Sequence, residues 1–283
     1  MTDLSPEPVW SPDIDLLVSD MDGTIVTPDK TLTPEAIAAV ARLGEAGIGF
    51  TLISARPPRG MQRVAKALGV SLPIAAFNGG NLIDAHDHLL SARRLAPDLA
   101  RQALTLLAQR GVDAWVFADG GWRLRDPNAP KVDRERRAVA FEPTVVENFD
   151  DVIDRIDKLV GVSEDHDLLQ NVELEAQALW GDQATILRSQ PYYLDFTHSQ
   201  ANKGGGVTAL CAEVGVDLAR TAVIGDMFND VSMFQVAGFA IAMGQAPQGV
   251  KDEADVITGP NTENGFAQAI DRLLAARAAA HAG

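Results

Sequence analysis

Two carboxylates separated by one residue, Asp20-Met21-Asp22, follow the apolar run from Ile14 to Val18 and precede Gly23-Thr24. A short apolar run that stops at a polar, glycine-containing turn reads as a buried strand and its tip. Acids at such a tip can hold a cation, attack an electrophile or move a proton; alone they are also compatible with a solvated turn. Three further polar stations follow. Ser54 closes the run Ile48 to Ile53, Lys203 in Asn202-Lys203-Gly204 stands ahead of a helix, and Gly225-Asp226-Met227-Phe228-Asn229-Asp230 follows the strand Ala222 to Ile224. Taken singly, Lys203 reads as a surface lysine, Ser54 as a residue that starts a helix, and Asp226 with Asp230 as a loop or helix cap. Their order at successive strand ends singles them out.

The elements that must position these stations alternate. Thr33-Pro34-Glu35 supplies an N-cap and a proline at the first helical position, Ile37, Val40 and Leu43 follow at helical spacing, and Gly47 marks the stop. A helix from about Pro58 to Leu68 and a strand from Pro73 to Phe77 continue the pattern. Strands alternating with capped helices predict an α/β fold, a doubly wound parallel sheet whose ligands sit beyond the carboxyl ends of its strands. Between about Ala85 and His198 the rhythm changes. The segment predicts a helix over Pro97 to Gln109 and a hairpin of Asp113 to Ala118 with Trp122 to Arg125. Then come a helix near Phe149 to Asp157, a strand near Leu159 to Ser163, a helix near Leu168 to Leu179, and paired strands Thr185 to Arg188 and Tyr192 to Phe196. Pro127 to Phe141 is dense in charge and poor in periodicity. The alternation then returns. The expected organisation is a core of residues 1–84 and 199–283, split by an inserted α+β cap of residues 85–198.

The four stations resemble the motifs of the haloacid dehalogenase superfamily, which open with Asp-x-Asp-Gly-Thr after the first strand. Ser54 in Ser54-Ala55-Arg56 matches the second motif, where many relatives carry Thr-Gly-Arg; the hydroxyl is retained. Lys203 matches the third motif and Asp226 to Asp230 the acidic fourth. The insertion between the second and third motifs looks like a type C2 cap, somewhat compact, and Asn78-Gly79-Gly80 is similar to the Asn-Gly-Ala turn of the Cof-like sugar phosphatases of subfamily IIB. The resemblance covers nearly the whole chain. It implies a Mg²⁺-dependent phosphatase for small phosphorylated metabolites, sugar phosphates first, with the cap choosing among them.

It further implies that Asp20 and Asp226 bind the metal by their side chains and Asp22 by its backbone carbonyl. Asp20 is then the nucleophile, Asp22 the acid and base, Ser54 a hydrogen-bond donor to the phosphoryl group and Lys203 its counter-charge. Asn229 and Asp230, with Gly23 and Thr24, support the phosphate and metal sites. Arg56, Asn78, Gly79, Trp122 and Arg123 are substrate candidates. Phosphoryl transfer accords with such a set, since it asks chiefly for charge neutralisation and an in-line nucleophile.

Composition narrows the remainder. A formal charge of −15 over 283 residues argues against nucleic acid and anionic membranes as general partners. The single cysteine, Cys211, excludes an intrachain disulfide framework. The first residues lack a secretory signal and no segment reaches membrane-span length, so a cytoplasmic protein is the expectation. A phosphomutase shares the Asp20 and Asp22 chemistry, whereas a dehalogenase has no need of an acid at position 22. A signalling receiver needs neither that acid nor a cap, and a non-catalytic sugar-phosphate sensor is separated by turnover alone. His86-Asp87-His88 reads as a polar hairpin turn, and Trp115 with Phe117 as cap core.

Overall fold

Parallel pairing begins at the first strand, β1 (Leu16–Asp20), whose five residues are all buried. A computed structural model describes Trp10 and residues 13–282; the N-terminal stretch read as lacking a secretory signal lies almost wholly outside them. Helix α1 (Pro34–Glu45) starts where the backbone N–H of Ala36 donates to Thr33 Oγ1 at 3.1 Å. It buries Ala36, Ala39, Val40 and Leu43 against the sheet, a stripe at the spacing that an amphipathic helix requires. There follow β2 (Gly49–Ile53), α2 (Pro58–Ala67), β3 (Ile74–Ala76), β4 (Asn81–Ile83) and β5 (Leu89–Ala92).

The insertion comprises α3 (Pro97–Gln109), β6 (Asp113–Ala118), β7 (Gly121–Leu124), α4 (Val132–Val139), β8 (Thr144–Val145), β9 (Ile156–Val162), α5 (His166–Trp180), β10 (Ala184–Gln190) and β11 (Tyr193–His198). The core resumes with α6 (Lys203–Val214), β12 (Thr221–Gly225), α7 (Val231–Phe234), β13 (Phe239–Ala242), α8 (Gln248–Lys251), β14 (Val256–Ile257) and α9 (Gly265–Ala282).

The core sheet runs β14-β13-β12-β1-β2-β3-β4-β5, parallel from β14 to β3 and antiparallel beyond. Strand order reverses beside β1, so the tips of β1, β2 and β12 share one crevice at the carboxyl edge, where doubly wound sheets bind ligands. The cap sheet runs β10-β11-β9-β6-β7-β8. One of its faces is covered by α3 and α5 through an apolar cluster containing Leu107, Leu169 and Val172. Trp115, Phe117, Val160 and Tyr193 belong instead to the apolar cluster shared with the core, and Phe117 meets Phe77 with ring centroids 5.8 Å apart. Arg93 ties the two crossings between core and cap: its N–H donates to Gly80 O at 2.7 Å and its Nη1 to Gln200 O at 2.5 Å.

Two expectations are corrected, and one segment left without an element is given one. The core does not end at residue 84, because β4 turns through the His86-Asp87-His88 hairpin into β5, which extends the core sheet to Ala92. The helix expected over Phe149 to Asp157 is a single 3₁₀ turn, Asp150–Val152. Phe149, Val152, Ile153 and Ile156 imitate a helical stripe, but Asn148 Oδ1 accepts from the N–H of Asp150 in a local turn, and Ile156 opens β9 alongside β6. The charged segment from Pro127 to Phe141 does contain a helix, α4. It is short, begins and ends beside residues in left-handed conformation (Lys131, φ 72°; Ala140, φ 62°), and buries only Val132 and Val139, one heptad apart.

Candidate active site

The tips of β1 and β12 and the start of α6 bring three carboxylates and one ammonium together. Lys203, at the first turn of α6, is 1% exposed and donates to Asp20 Oδ1 and to Asp230 Oδ1, both at 2.5 Å. Asn202 starts that helix by accepting from the N–H of Gly205 at 2.9 Å, which points the Lys203 chain beneath β1. Asp230 is fully committed: its second oxygen accepts from the backbone N–H groups of Asp226 and Met227 at 2.9 and 2.8 Å. It therefore shapes the loop after β12 and locks Lys203 in place.

Gly23 allows Asp226 to reach this site. Its φ is +89°, and a Cβ there would collide with Asp226 Oδ2. Thr24 Oγ1 donates to Asp226 Oδ1 at 3.4 Å, and Gln245 Nε2 donates to Gly23 O at 2.6 Å and to Asp226 Oδ2 at 3.4 Å. Gln245 was not singled out in the sequence; it lies in the loop after β13 and carries no motif signal. Gly23→Ala is expected to lower stability by about 1–3 kcal/mol through strain at a positive φ and to displace Asp226. Denaturant unfolding and the metal dependence of turnover check it, and unchanged values in both would refute the role of the close approach.

The Asp22 side chain takes partners other than those of Asp20. Arg56 grips it with two parallel bonds, Nε to Oδ2 at 2.7 Å and Nη2 to Oδ1 at 2.6 Å, and Lys30 adds an ion pair at 2.7 Å. Burial opposes ionisation of this carboxyl, but the Arg56 bonds and charge and the Lys30 ion pair outweigh it and hold it below the usual range. Ser54 is buried at the tip of β2, its Oγ accepting from the N–H of Arg56 at 3.2 Å. Phe77 and Asn78 are both left-handed (φ 50° and 56°). Their N–H groups donate to Arg56 O and Ser54 O at 3.0 and 2.8 Å, tying the tips of β2 and β3. Such backbone is uncommon for a bulky residue and collects at functional sites. Gly79 is required by packing, since a Cβ would lie 2.5 Å from Gly206 Cα. Asn229 Nδ2 donates to Asn78 Oδ1 at 3.3 Å across the crevice.

Oxygens of Asp20, Asp226 and Asp230 lie within 4.8 Å of one another, three carboxylates against one lysine. Burial pushes Asp20 up to about 7; Lys203 opposes this, while the charges of Asp230 and Asp226 add to it. Burial and Asp230 likewise push Asp226 up to about 6. Lys203 resists the neutralising effect of its own burial because two carboxylates face it, and its pKa is raised. With Asp230 engaged, Asp20 and Asp226 form an under-neutralised pair of oxygen donors, a set that suits a hard divalent cation.

A cavity of about 740 Å³ rises from these residues to the cap. Asp20, Asp22, Ser54, Arg56, Asn78, Asp226 and Asn229 line its floor. The proposed substrate contacts Trp122 and Arg123 are corrected: neither lines it. Trp122 alternates inward on β7 and is fully buried between Trp115 and Phe117 (centroids 5.2 and 6.2 Å). Arg123 folds back on its own hairpin, donating to Ala118 O at 2.9 Å. The cap residues that do face the cavity include Arg134, Glu135, Lys158, Arg188, Tyr193 and Asp195. Charges inside otherwise apolar strands, Lys158 and Asp195, were the available signal.

A fold with acids at the tips of β1 and β12, a lysine beneath them and a lid inserted after β5 defines a class. The family model for haloacid dehalogenase-like hydrolases matches residues 17–270, and the chain belongs to that family as one of its phosphatases. It is 27% identical over 273 residues to the pyridoxal phosphate phosphatase YbhA of Escherichia coli, covering 90% of this chain and 97% of that one. It is 26% identical over 259 residues to the 5-amino-6-(5-phospho-D-ribitylamino)uracil phosphatase YcsE of Bacillus subtilis, covering 91% and 95%. Among solved structures, a haloacid dehalogenase-like hydrolase from Bacteroides thetaiotaomicron superposes with a TM-score of 0.83 at 27% identity, covering 92% of this chain and 99% of that one. No helix among the described residues is long and apolar enough to cross a membrane.

Proposed function

We propose that this chain is a Mg²⁺-dependent phosphatase that cleaves small phosphorylated metabolites through an aspartyl phosphate on Asp20. The observation that carries the reading is the placement of the Asp20 carboxylate. It lines the cavity floor, held on one side by Lys203 and flanked on the other by Asp226. Sugar phosphates and ring phosphates such as the one named for the Escherichia coli relative fall within the substrate range. Phosphate release over a metabolite panel, with Mg²⁺ and with chelator, tests it; no release from any member would overturn it.

An Asp20 oxygen forms a bond to phosphorus as the bond to the leaving oxygen breaks, and Asp22 gives that oxygen a proton. Asp22 then takes a proton from water, whose oxygen attacks phosphorus, releasing phosphate and restoring Asp20. Lys203 and Ser54 neutralise and bond the phosphoryl oxygens. Asp20, Asp226 and the Asp22 carbonyl would hold the cation, which when bound supplies charge neutralisation between nucleophile and phosphate. Asp22 is held ionised by Arg56 and Lys30, so it must first leave them and take up a proton from solvent; its proton delivery is coupled to rearrangement of that pair. Asp22→Asn is expected to slow alkyl phosphates far more than p-nitrophenyl phosphate in the first half-reaction, because an activated leaving group needs no proton. Equal losses would remove Asp22 from the acid role.

Mg²⁺ should also register without turnover. Carboxyls at about 7 and about 6 in the folded, metal-free protein lie above their ordinary value of 3.8, so they are charged and under-neutralised at pH 8 and progressively protonated below pH 7. A cation that needs both ionised therefore binds more tightly as pH rises through this window. The increase in Tm on adding Mg²⁺ is expected to be larger at pH 8 than at pH 5.5. An equal or reversed increase would contradict the assignment of these two ligands.

A further inference from the structure

Opposite the catalytic carboxylates, the cavity-facing side of β6, β9 and β11 presents Trp115, Phe117, Lys158, Val160, Tyr193 and Asp195. Three aromatic rings and a valine surround one ion pair. Asp195 lies across from Val160 in the β9–β11 register, which sets Lys158 on the diagonal, within reach of a long side chain. Its Nζ donates to Asp195 Oδ2 at 2.6 Å, with the two side chains 14% and 10% exposed. Taking two charges out of water costs several kcal/mol per ion, and apolar residues of similar volume would hold this strand pair as well. The pair is also incomplete: Asp195 Oδ1 is buried and has no hydrogen-bond partner among the described residues. Buried polar atoms are rarely left so. Both residues line the cavity together with Asn78 and Asn229, and a smaller adjoining pocket that they also line reaches Lys203. From the core side, Phe228 lines the same space at 63% exposure, a ring face without cover.

We infer that Lys158 and Asp195 read the leaving group, and that this group is a single ring carrying a hydrogen-bond donor next to an acceptor. The donor, a hydroxyl or ring N–H, bonds Asp195 Oδ1; the acceptor oxygen takes a second N–H of the Lys158 ammonium, which has three. The ring lies against Phe228 and the aromatic wall. The inference rests on the phosphatase reading above. Flat heteroaromatic rings and puckered sugars both offer this pattern, and the test separates them.

The measurement is kcat/KM with Mg²⁺ for pyridoxal 5′-phosphate, glucose 6-phosphate and p-nitrophenyl phosphate, a ring without the donor. It compares the natural chain with Asp195→Asn and with the double replacement Lys158→Met/Asp195→Leu, which removes both charges of the pair together and so keeps the fold where a single change fails. The ratio of ring phosphate to p-nitrophenyl phosphate is expected to fall about 10- to 100-fold, the worth of a hydrogen bond to a charged group. A fall confined to pyridoxal 5′-phosphate assigns the flat ring, one confined to glucose 6-phosphate the puckered ring, and a fall in both the shared pattern. A ratio within about threefold of the natural chain's for both overturns the inference. So does turnover of p-nitrophenyl phosphate alone by the natural chain, which leaves the phosphatase reading standing. Release from none of the three would sink that reading itself.

Discussion

Asp20→Asn is expected to abolish multiple-turnover phosphate release, with a loss on the order of 10⁴-fold or more, as when other covalent nucleophiles are removed. The amide keeps the shape of the carboxyl and an oxygen that accepts from Lys203, so the contact at 2.5 Å has a successor. What disappears is the nucleophile, and with it the charge of one of the two side-chain carboxylates proposed to hold the cation. Folding should survive, because the replaced carboxyl is buried and already resists ionisation up to about pH 7. Circular dichroism and thermal unfolding check the fold, and a steady-state phosphate assay checks turnover. Appreciable residual turnover in a folded variant would transfer the nucleophilic role to water.

The floor of the candidate site was legible because each of its stations is local. Asp20, Ser54 and Asp226 each end an apolar run, and a parallel sheet carries all such ends to one edge. Lys203 needed only a helix start marked by Asn202. The cap was legible as an α+β insertion but not as a binding wall. Which face of β6, β7, β9 and β11 turns to the cavity depends on register between strands distant in sequence and on how the cap sheet lies over Phe77, and neither is written in local periodicity. Trp122 illustrates this. At the start of the second hairpin strand it flanks the turn and reads as able to face substrate, yet the strand alternation places it inward between two aromatic rings. The Arg56–Asp22–Lys30 arrangement was equally hidden. Lys30 sits in an exposed turn eight residues beyond Asp22, and only the fold of that turn returns its ammonium to the acid.

That arrangement bears on how chemistry and recognition connect. Asp20 and Asp22 share a strand tip but occupy different electrostatic surroundings: the first is under-neutralised, the second held by two cations. In the metal-free site these shifts run against the proposed roles. The raised carboxyl is the nucleophile, which a cation would ionise, and the lowered one is the acid, which must be freed before it binds a proton. Here the proposed nucleophile waits for a cation, while the proposed acid waits for release by Arg56. Arg56 also donates to Gly60 O at 3.2 Å, so the first turn of α2 is part of the same assembly. A substrate phosphate arriving beside Ser54 would compete for the Arg56 guanidinium and free Asp22 to take up the proton it must deliver.

Lys203→Met is expected to lower kcat by about 10²–10³, the range found when a preorganised charge-stabilising donor is removed. Methionine fills most of the volume of the buried chain, so the change isolates charge from packing. Two carboxylates lose their shared counter-charge at once. Stripping one partner from a buried ion pair costs about 3–5 kcal/mol when the stranded charge stays ionised, and here protonation of Asp20 limits that cost. The pH dependence carries the sharper signature. Lys203 lowers the Asp20 pKa against the effect of burial; without it the carboxyl remains protonated to higher pH, and the acid limb of the kcat profile should move upward. A merely structural lysine would reduce the amount of folded enzyme and leave the limb in place. A folded Lys203→Met variant with an unshifted limb and undiminished kcat would show that the contact between Lys203 and Asp20 does not take part in catalysis.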